Sequence, residues 1–375
     1  MEEKKNWSEF LLNYALYFIL GIMILCVIIA DPSFLSLNNF LKIWAQASTR
    51  GILALGVAGM IVLAGTDLSA GRVLGCGAAI SASLLQSVTY ASRMYKGITE
   101  PLPLWVPLIL SIVVCVAFCL VNGFGVAKLH MHAFIISLGT QLIAYGILCL
   151  YIDSQEGGAQ PLASLDPRYI DLVNGRHILG IPNLVWFFLI CAIVMWVIWN
   201  KTTLGKNMFA IGGNTEAAAV SGVNVAKNIM LVYLVAGVLY GIAAFLEAAR
   251  IQSVTTSTGL NYDLDAISGC VIGGVSFNGG IGTIPGVIIG VIILQVINYS
   301  LYYLGVNAYL QFVIKGLIII LAVAIDVRKY SGKNNSFPSG LHREMVYQKC
   351  FAGSAAYHAA GRFWQSPKLF DIQFS

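Results

Sequence analysis

The chain has 375 residues, of which 58% are hydrophobic and only 10% charged, with a net charge of +5 and a mean hydropathy of +0.79. Ordinary soluble domains carry about 25% charged residues, and a soluble fold cannot hide this much apolar surface, so the composition excludes a soluble enzyme and points to an integral membrane protein. The basic residues are scattered through short loops, as a membrane protein's are, so the net charge does not imply a nucleic-acid partner, and none is expected.

Residues 11–30 follow Lys4 and Lys5 and form the first apolar run. It exceeds a signal-peptide core, no A-x-A site follows, and about 20 helical residues suit one bilayer crossing, so it is expected to be a retained span. Asp31-Pro32 breaks it, and 31–42 is expected to be a short separate segment, with Trp44 at an interface. Further spans are expected over 45–65, 73–90, 104–127, 133–152, 184–199, 229–250, 284–304 and 308–325, with a short apolar piece over 266–275. The 153–183 connection, with Asp153, Glu156, Asp166, Arg168, Asp171 and Arg176, is longer than an idle connector needs. It is placed outside, as is the polar 251–265 stretch.

This threading gives an all-α polytopic membrane protein with about ten crossings, some broken or re-entrant, and both termini inside. The inside segments hold Lys4, Lys5, Arg72, Lys128, Lys201, Lys206, Lys227, Arg328 and Lys329, against Lys42, Arg93, Lys96, Arg168, Arg176 and Arg250 outside. That bias has the expected sign. Residues 1–329 form the transmembrane domain, and 330–375 is an atypical tail expected to be cytoplasmic and poorly ordered. Seven of the eight cysteines lie in apolar stretches without a CxxC pair, and His130 and His132 fit a solvated turn, so no metal site is expected.

Two stretches depart from the apolar background. Residues 205–225 read GKNMFAIGGNTEAAAVSGVNV. Asn214 suits a helix N-cap, Glu216 falls in the first turn and Gly222 can end the helix in the left-handed region. The result is a short helix surfaced by Ala217, Ala218, Ala219 and Ser221, either a docking knob or a plain connector. The second stretch is an internal echo. AGTDLSAGR (64–72) and GGVSFNGGI (273–281) align so that Gly65 meets Gly274 and Gly71 meets Gly280. Paired glycine-interrupted segments point to broken helices lining a transport path, the rival being two ordinary hairpin turns.

The block AIGGNTEAAAVSGVNV resembles the cytoplasmic coupling loop of sugar-importing ABC permeases of the ribose/galactose class. LALGVAGMIVLAGTDLSAGR (53–72) is similar to the galactose/methyl-galactoside branch of that class, and the likeness extends to about Lys329. The resemblance implies a permease subunit that carries no ATP site. ATP and Mg would sit on a partner ATP-binding cassette subunit, into which Gly212, Gly213, Asn214, Glu216, Ala217, Ala218, Ser221 and Gly222 would dock. It further implies a second copy of the chain, a periplasmic sugar-binding protein, a monosaccharide substrate, surrounding lipid and a bacterial inner membrane. Members of the class stop soon after the last span, so the tail departs from the pattern. A permease for ribose or another monosaccharide is the alternative within the class.

For the translocation pathway or gate, the candidates are Asp67, Ser69, Gly71, Asn278, Gly280 and Lys315. An acid at membrane depth is costly unless paired or wet, so Asp67 either orders the broken backbone, with Arg72 as partner, or caps the next helix together with Ser69. Glu247 and Arg250 lie three apart and share a helix face. Lys315 either snorkels outward or faces the pathway with Gln311. No G-x-x-x-x-G-K-[ST], complete G-x-G-x-x-G or H-E-x-x-H occurs, so no catalytic residue is assigned and the energy must come from a partner or an ion gradient. An ion-coupled secondary transporter is the first rival. An intramembrane enzyme is disfavoured by the scatter of its would-be catalytic residues.

Overall fold

The computed structural model describes residues 31–307 and 309–318, with a few isolated positions on either side. The expected span 11–30, the tail 330–375 and the end of the 308–325 span lie outside the described residues. Among the described residues, six helices are long and apolar enough to cross a membrane: α1 (Leu37–Val62), α3 (Trp105–Leu129), α4 (Ala133–Asp153), α6 (Asn183–Lys201), α9 (Val225–Ile251) and α11 (Ile284–Tyr303). Between them lie the shorter α2 (Ala70–Leu84), α5 (Pro167–Asn174), α7 (Thr203–Gly213), α8 (Thr215–Val220) and α10 (Tyr262–Ile272). The last described helix is α12 (Tyr309–Ile318). No strand longer than an isolated bridge occurs among the described residues.

One boundary differs from the sequence expectation. Residues 37–42 are not a separate segment but the first turns of α1, because Ser36 Oγ accepts from Asn39 N–H and starts the helix there. A single 3-10 turn, Pro32–Leu35, precedes it, capped by Asp31.

The bundle is built around α1 and α9. α1 is buried along most of its length, whereas α4 exposes Phe134, Ile135, Leu138, Leu142 and Ile143, as a lipid-facing helix does. α9 packs on α1, α2 and most extensively on α3. The last contact is close because Gly237 sits against the Val116 backbone, where a Cβ would come within 2.7 Å of Val116 Cα. Small residues at such crossings let helices approach where lipid supplies no hydrophobic drive.

The two ends of the bundle are distinct. At one, the 153–183 connection folds over the helix tips around α5. Asp166 N–H donates to Leu85 O at 2.7 Å, and Asn174 Nδ2 to Ala249 O at 2.8 Å. Asp166 also caps α5, and its hydrogen bonds from Arg168 hold its carboxyl below the usual range against some desolvation. At the other end lie α7 and α8.

Two crossings are composite. α2 and α10 have 15 and 11 residues, about 22 and 16 Å at 1.5 Å per residue, each short of a bilayer core of about 30 Å. Residues 63–69 climb from the α8 end to start α2 midway through the bundle. Residues 252–261 descend from the α5 end to start α10: Val254 pairs with Leu162, Thr256 O meets Arg72, and Gly259 abuts Gly71. This corrects the placing of 251–265 as an outward loop, since Asp263 and Asp265 are buried in the first turn of α10.

Arg72 and Arg250 are likewise inside the bundle and not in loops. Without them, Lys128, Lys201, Lys206 and Lys227 at the α8 end face Lys42, Arg93, Lys96, Arg168 and Arg176 at the α5 end. The positive-charge bias read from the sequence is therefore absent among the described residues.

Candidate functional site

The 205–225 stretch is two helices, not one. Thr202 Oγ1 accepts from Gly205 N–H and starts α7, and Asn214 Oδ1 accepts from Ala217 N–H at 2.8 Å and starts α8. Glu216 stands in the first turn of α8, and Gly222 has φ +87° just beyond its end. Glu216, Ala217, Ala219, Ser221 and Gly222 are exposed, and Val220 is 91% exposed. Ala218 is turned inward and is only 5% exposed, so it is no part of the outer surface.

Behind this knob three glycine-bearing stretches meet through backbone alone. A Cβ on Gly212 would overlap Val62 O and come within 2.7 Å of Gly280 N, and Gly280 N–H donates to Val62 O at 2.8 Å. Gly279, with φ +81°, lies where a Cβ would be 2.6 Å from Gly212 O and 2.9 Å from Ala64 Cβ. The α7–α8 corner thus touches both the break after α1 and the break after α10. Asn278 stands exposed in the second break. Beside the junction, Gly56, Gly59, Met195, Trp199, Met208 and Val232 line a narrow apolar crevice. Its lining carries no hydroxyl, amide or charged side chain, so it offers little to a polar solute.

Midway through the bundle, Asp67 organises the first break. It is fully buried and accepts from Ser69 N–H at 2.9 Å, Ser69 Oγ at 2.6 Å and Tyr240 OH at 3.1 Å. Asn122 Nδ2 donates to Ser69 Oγ at 3.0 Å, and Thr140 Oγ1 donates to Asn122 Oδ1, which ties α3 and α4 to the same point. The expected Asp67–Arg72 pair does not form. Arg72 donates to Thr256 O at 3.0 Å and lies over the Tyr145 ring at 4.3 Å. Nor does the Ser69 hydroxyl cap α2; Asp67 satisfies Ser69 N–H instead. Beside it, Gly71 is pressed onto Gly259 O and Asp263, where the starts of α2 and α10 meet. Two helix N-termini facing each other carry partial positive charge, which favours the acids Asp67 and Asp263.

Asp67→Asn keeps an acceptor for Ser69, and its amide can donate to the Tyr240 oxygen. It is expected to insert and purify as the parent does. Asp67→Ala strands Ser69 N–H and Tyr240 OH in the interior at about 1–3 kcal/mol each. Thermal unfolding in detergent reads the difference, and equal melting of the two variants would refute this role.

A second polar centre joins five helices. Glu247, fully buried, accepts from Thr49 Oγ1 at 2.7 Å, from Arg250 at 2.6 and 2.7 Å and from Tyr262 OH at 2.6 Å. Arg50 lies over the Tyr262 ring at 4.5 Å and pairs with Asp265 at 2.7 Å, and Lys315 pairs with the same acid at 3.3 Å. The Glu247–Arg250 pair is as the spacing predicts. Lys315 does not sit with Gln311, whose amide folds back to Val306 O. Sequence reasoning missed Arg50, Tyr262, Asp265 and Gln295. Two signals were present: a base inside the apolar run over 45–65, and the acids of NYDLD preceding a helical run.

The comparisons with known proteins bear on this arrangement. Residues 39–323 match the family model described as branched-chain amino acid transport system / permease component. The chain belongs to this permease family. The permease is 47% identical to the galactose/methyl galactoside import permease protein of Haemophilus influenzae, across 88% of its own length and 98% of the relative's. The Escherichia coli protein of the same name is 46% identical over the same shares. The ribose import permease protein of Bacillus subtilis is 33% identical over 83% of this permease and 92% of the relative. No solved structure matches. With its family and its apolar helices, the permease is a multi-pass membrane transporter and not an enzyme.

Proposed function

We propose that the permease is the membrane subunit of an ATP-driven importer moving galactose or methyl galactoside across a bacterial inner membrane. The observation that carries this is the 46–47% identity to permeases named for those sugars, against 33% to the ribose permease. In this reading α8 docks into an ATP-binding cassette subunit that holds ATP and Mg, which places the α8 end and both termini in the cytoplasm. Gly212, Gly213, Asn214, Glu216, Ala217, Ser221 and Gly222 shape that contact, Ala218 supports it from within, and Val220 is its apolar tip. A periplasmic sugar-binding protein docks at the α5 end, and two copies of the permease flank the path. Asp67, Ser69 and Gly71 hold one gate segment; Asn278 and Gly280 belong to the segment that joins it to α7. A sugar bound equally in both states would shift no equilibrium, so selectivity rests largely with the binding protein.

The test is purification of the tagged permease from native membranes followed by reconstitution. Co-purification of an ATP-binding subunit, with ATPase activity raised by galactose-loaded binding protein, is the expected result. Val220→Asp puts a charge on a tip that touches little of its own chain. It is expected to leave the melting temperature unchanged and to release the ATPase. A permease that purifies alone and moves sugar under an ion gradient would overturn the reading.

A further inference from the structure

The second polar centre is incompletely satisfied. Gln295 and Asn298 lie one turn apart on α11, 0% and 8% exposed, so they share a face of the helix. Gln295 Oε1 accepts from Arg50 Nη1 at 3.3 Å, and Arg50 and Lys315 both reach Asp265. Yet Arg50 Nε, Gln295 Nε2 and both amide atoms of Asn298 are buried and have no hydrogen-bond partner among the described residues. Gln295 sits mid-helix in α11 and Arg50 mid-helix in α1, at the depth where bulk water is absent. Leaving buried donors and acceptors idle there costs more than replacing them with apolar groups of the same shape. Idle groups of this kind fit a path that is shut in this conformation and takes a hydrogen-bonding solute in another.

The chemistry narrows the solute. Two neutral carboxamides offer donors and acceptors together, as adjacent hydroxyls require. The flanking cations are already engaged by Asp265, so a charged solute would have to break an ion pair, whereas a neutral polyol would not. We infer that Gln295 and Asn298, backed by Arg50, Asp265 and Lys315, form a station where the ring hydroxyls of a monosaccharide bind in transit. The inference rests on the sugar-import reading.

The test uses the full complex in proteoliposomes with labelled galactose. Asn298→Leu removes only idle polar atoms at nearly constant volume, and Gln295→Met removes the idle Nε2 together with the Oε1 that accepts from Arg50, which keeps its pair with Asp265. A purely structural role predicts equal or higher melting temperature and unchanged uptake. The station predicts equal or higher melting temperature with uptake at limiting sugar reduced about tenfold, one hydrogen bond's worth. It also predicts that deoxygalactoses, poorly moved by the parent, are moved no worse than galactose by Asn298→Leu. Unchanged uptake in both variants overturns the station, as does a loss explained by lowered melting. Failure of the sugar reading shows separately, as no galactose uptake by the unsubstituted complex. If that complex moves ribose instead, the same comparison is run with ribose and judged by the same outcomes.

Discussion

Glu247→Leu is expected to leave almost no folded permease in the membrane. The substitution deprives Arg250 of the carboxylate that takes two of its hydrogen bonds, and it strips Thr49 and Tyr262 of their acceptor. Breaking a buried pair by removing one partner costs about 3–5 kcal/mol, a large share of the 5–15 kcal/mol that typically holds a protein folded. The charge, not the shape, is at fault, so Glu247→Leu combined with Arg250→Met is expected to recover much of the yield. Membrane yield and melting temperature in detergent measure both. A single variant as stable as the double would show that losing the carboxylate does not strand the Arg250 charge.

Gly212→Val is expected to uncouple the importer. Even a methyl group at Gly212 overlaps Val62 O and crowds Gly280 N, and both obstacles are backbone. The Gly280–Val62 hydrogen bond must open or α7 must move away. Overpacking of this kind costs about 1–3 kcal/mol, a cost that falls where α7 meets both breaks. ATP hydrolysis by the reconstituted complex is expected to persist while sugar uptake falls at least tenfold, on the order of the cost of a misplaced coupling contact. Gly139→Ala, on the exposed face of α4, is the control, because a Cβ there meets nothing within 4 Å. Normal uptake by Gly212→Val, or equal loss in both variants, would refute the junction.

Much of this fold was legible in the sequence because apolar run length is a direct physical signal at membrane depth. The 104–127 and 133–152 runs match α3 and α4 to within a few residues. Asn214, Glu216 and Gly222 marked α8 because capping is local chemistry. What stayed hidden was non-local. Arg72 chose Thr256 and Tyr145 over Asp67, a choice fixed by how 252–261 folds into the bundle. The polar 251–265 stretch looked like solvent-facing loop, since nothing in its composition shows that Arg50 and Lys315 wait for Asp265. Ala218 looked like its neighbours Ala217 and Ala219, and only the packing of α8 on its own chain turns it inward. The echo between 64–72 and 273–281 fell on two stretches between helices, but the second is a turn joining α10 to α11 beside α7, as its hairpin alternative has it, and its paired glycines do different work: Gly71 abuts Gly259, whereas Gly280 abuts Gly213.

The half-length of α2 and α10 constrains how the chain enters the membrane during synthesis. Neither is long enough to cross by itself, and each follows a polar segment whose backbone groups would be stranded in lipid. The lipid-stable intermediates are therefore the long helices, and α2 must find its depth after α3, α4 and α9 have formed the walls that receive it. α10 depends in the same way on α11, which is made after it. The two halves of the chain thus do not mature independently: the Gly71–Gly259 contact that seats the start of α2 cannot close before residue 259 has been made. A chain stopped after α9 would hold α2 against a bundle still missing α10, and quality-control proteases would meet an unfilled polar slot there.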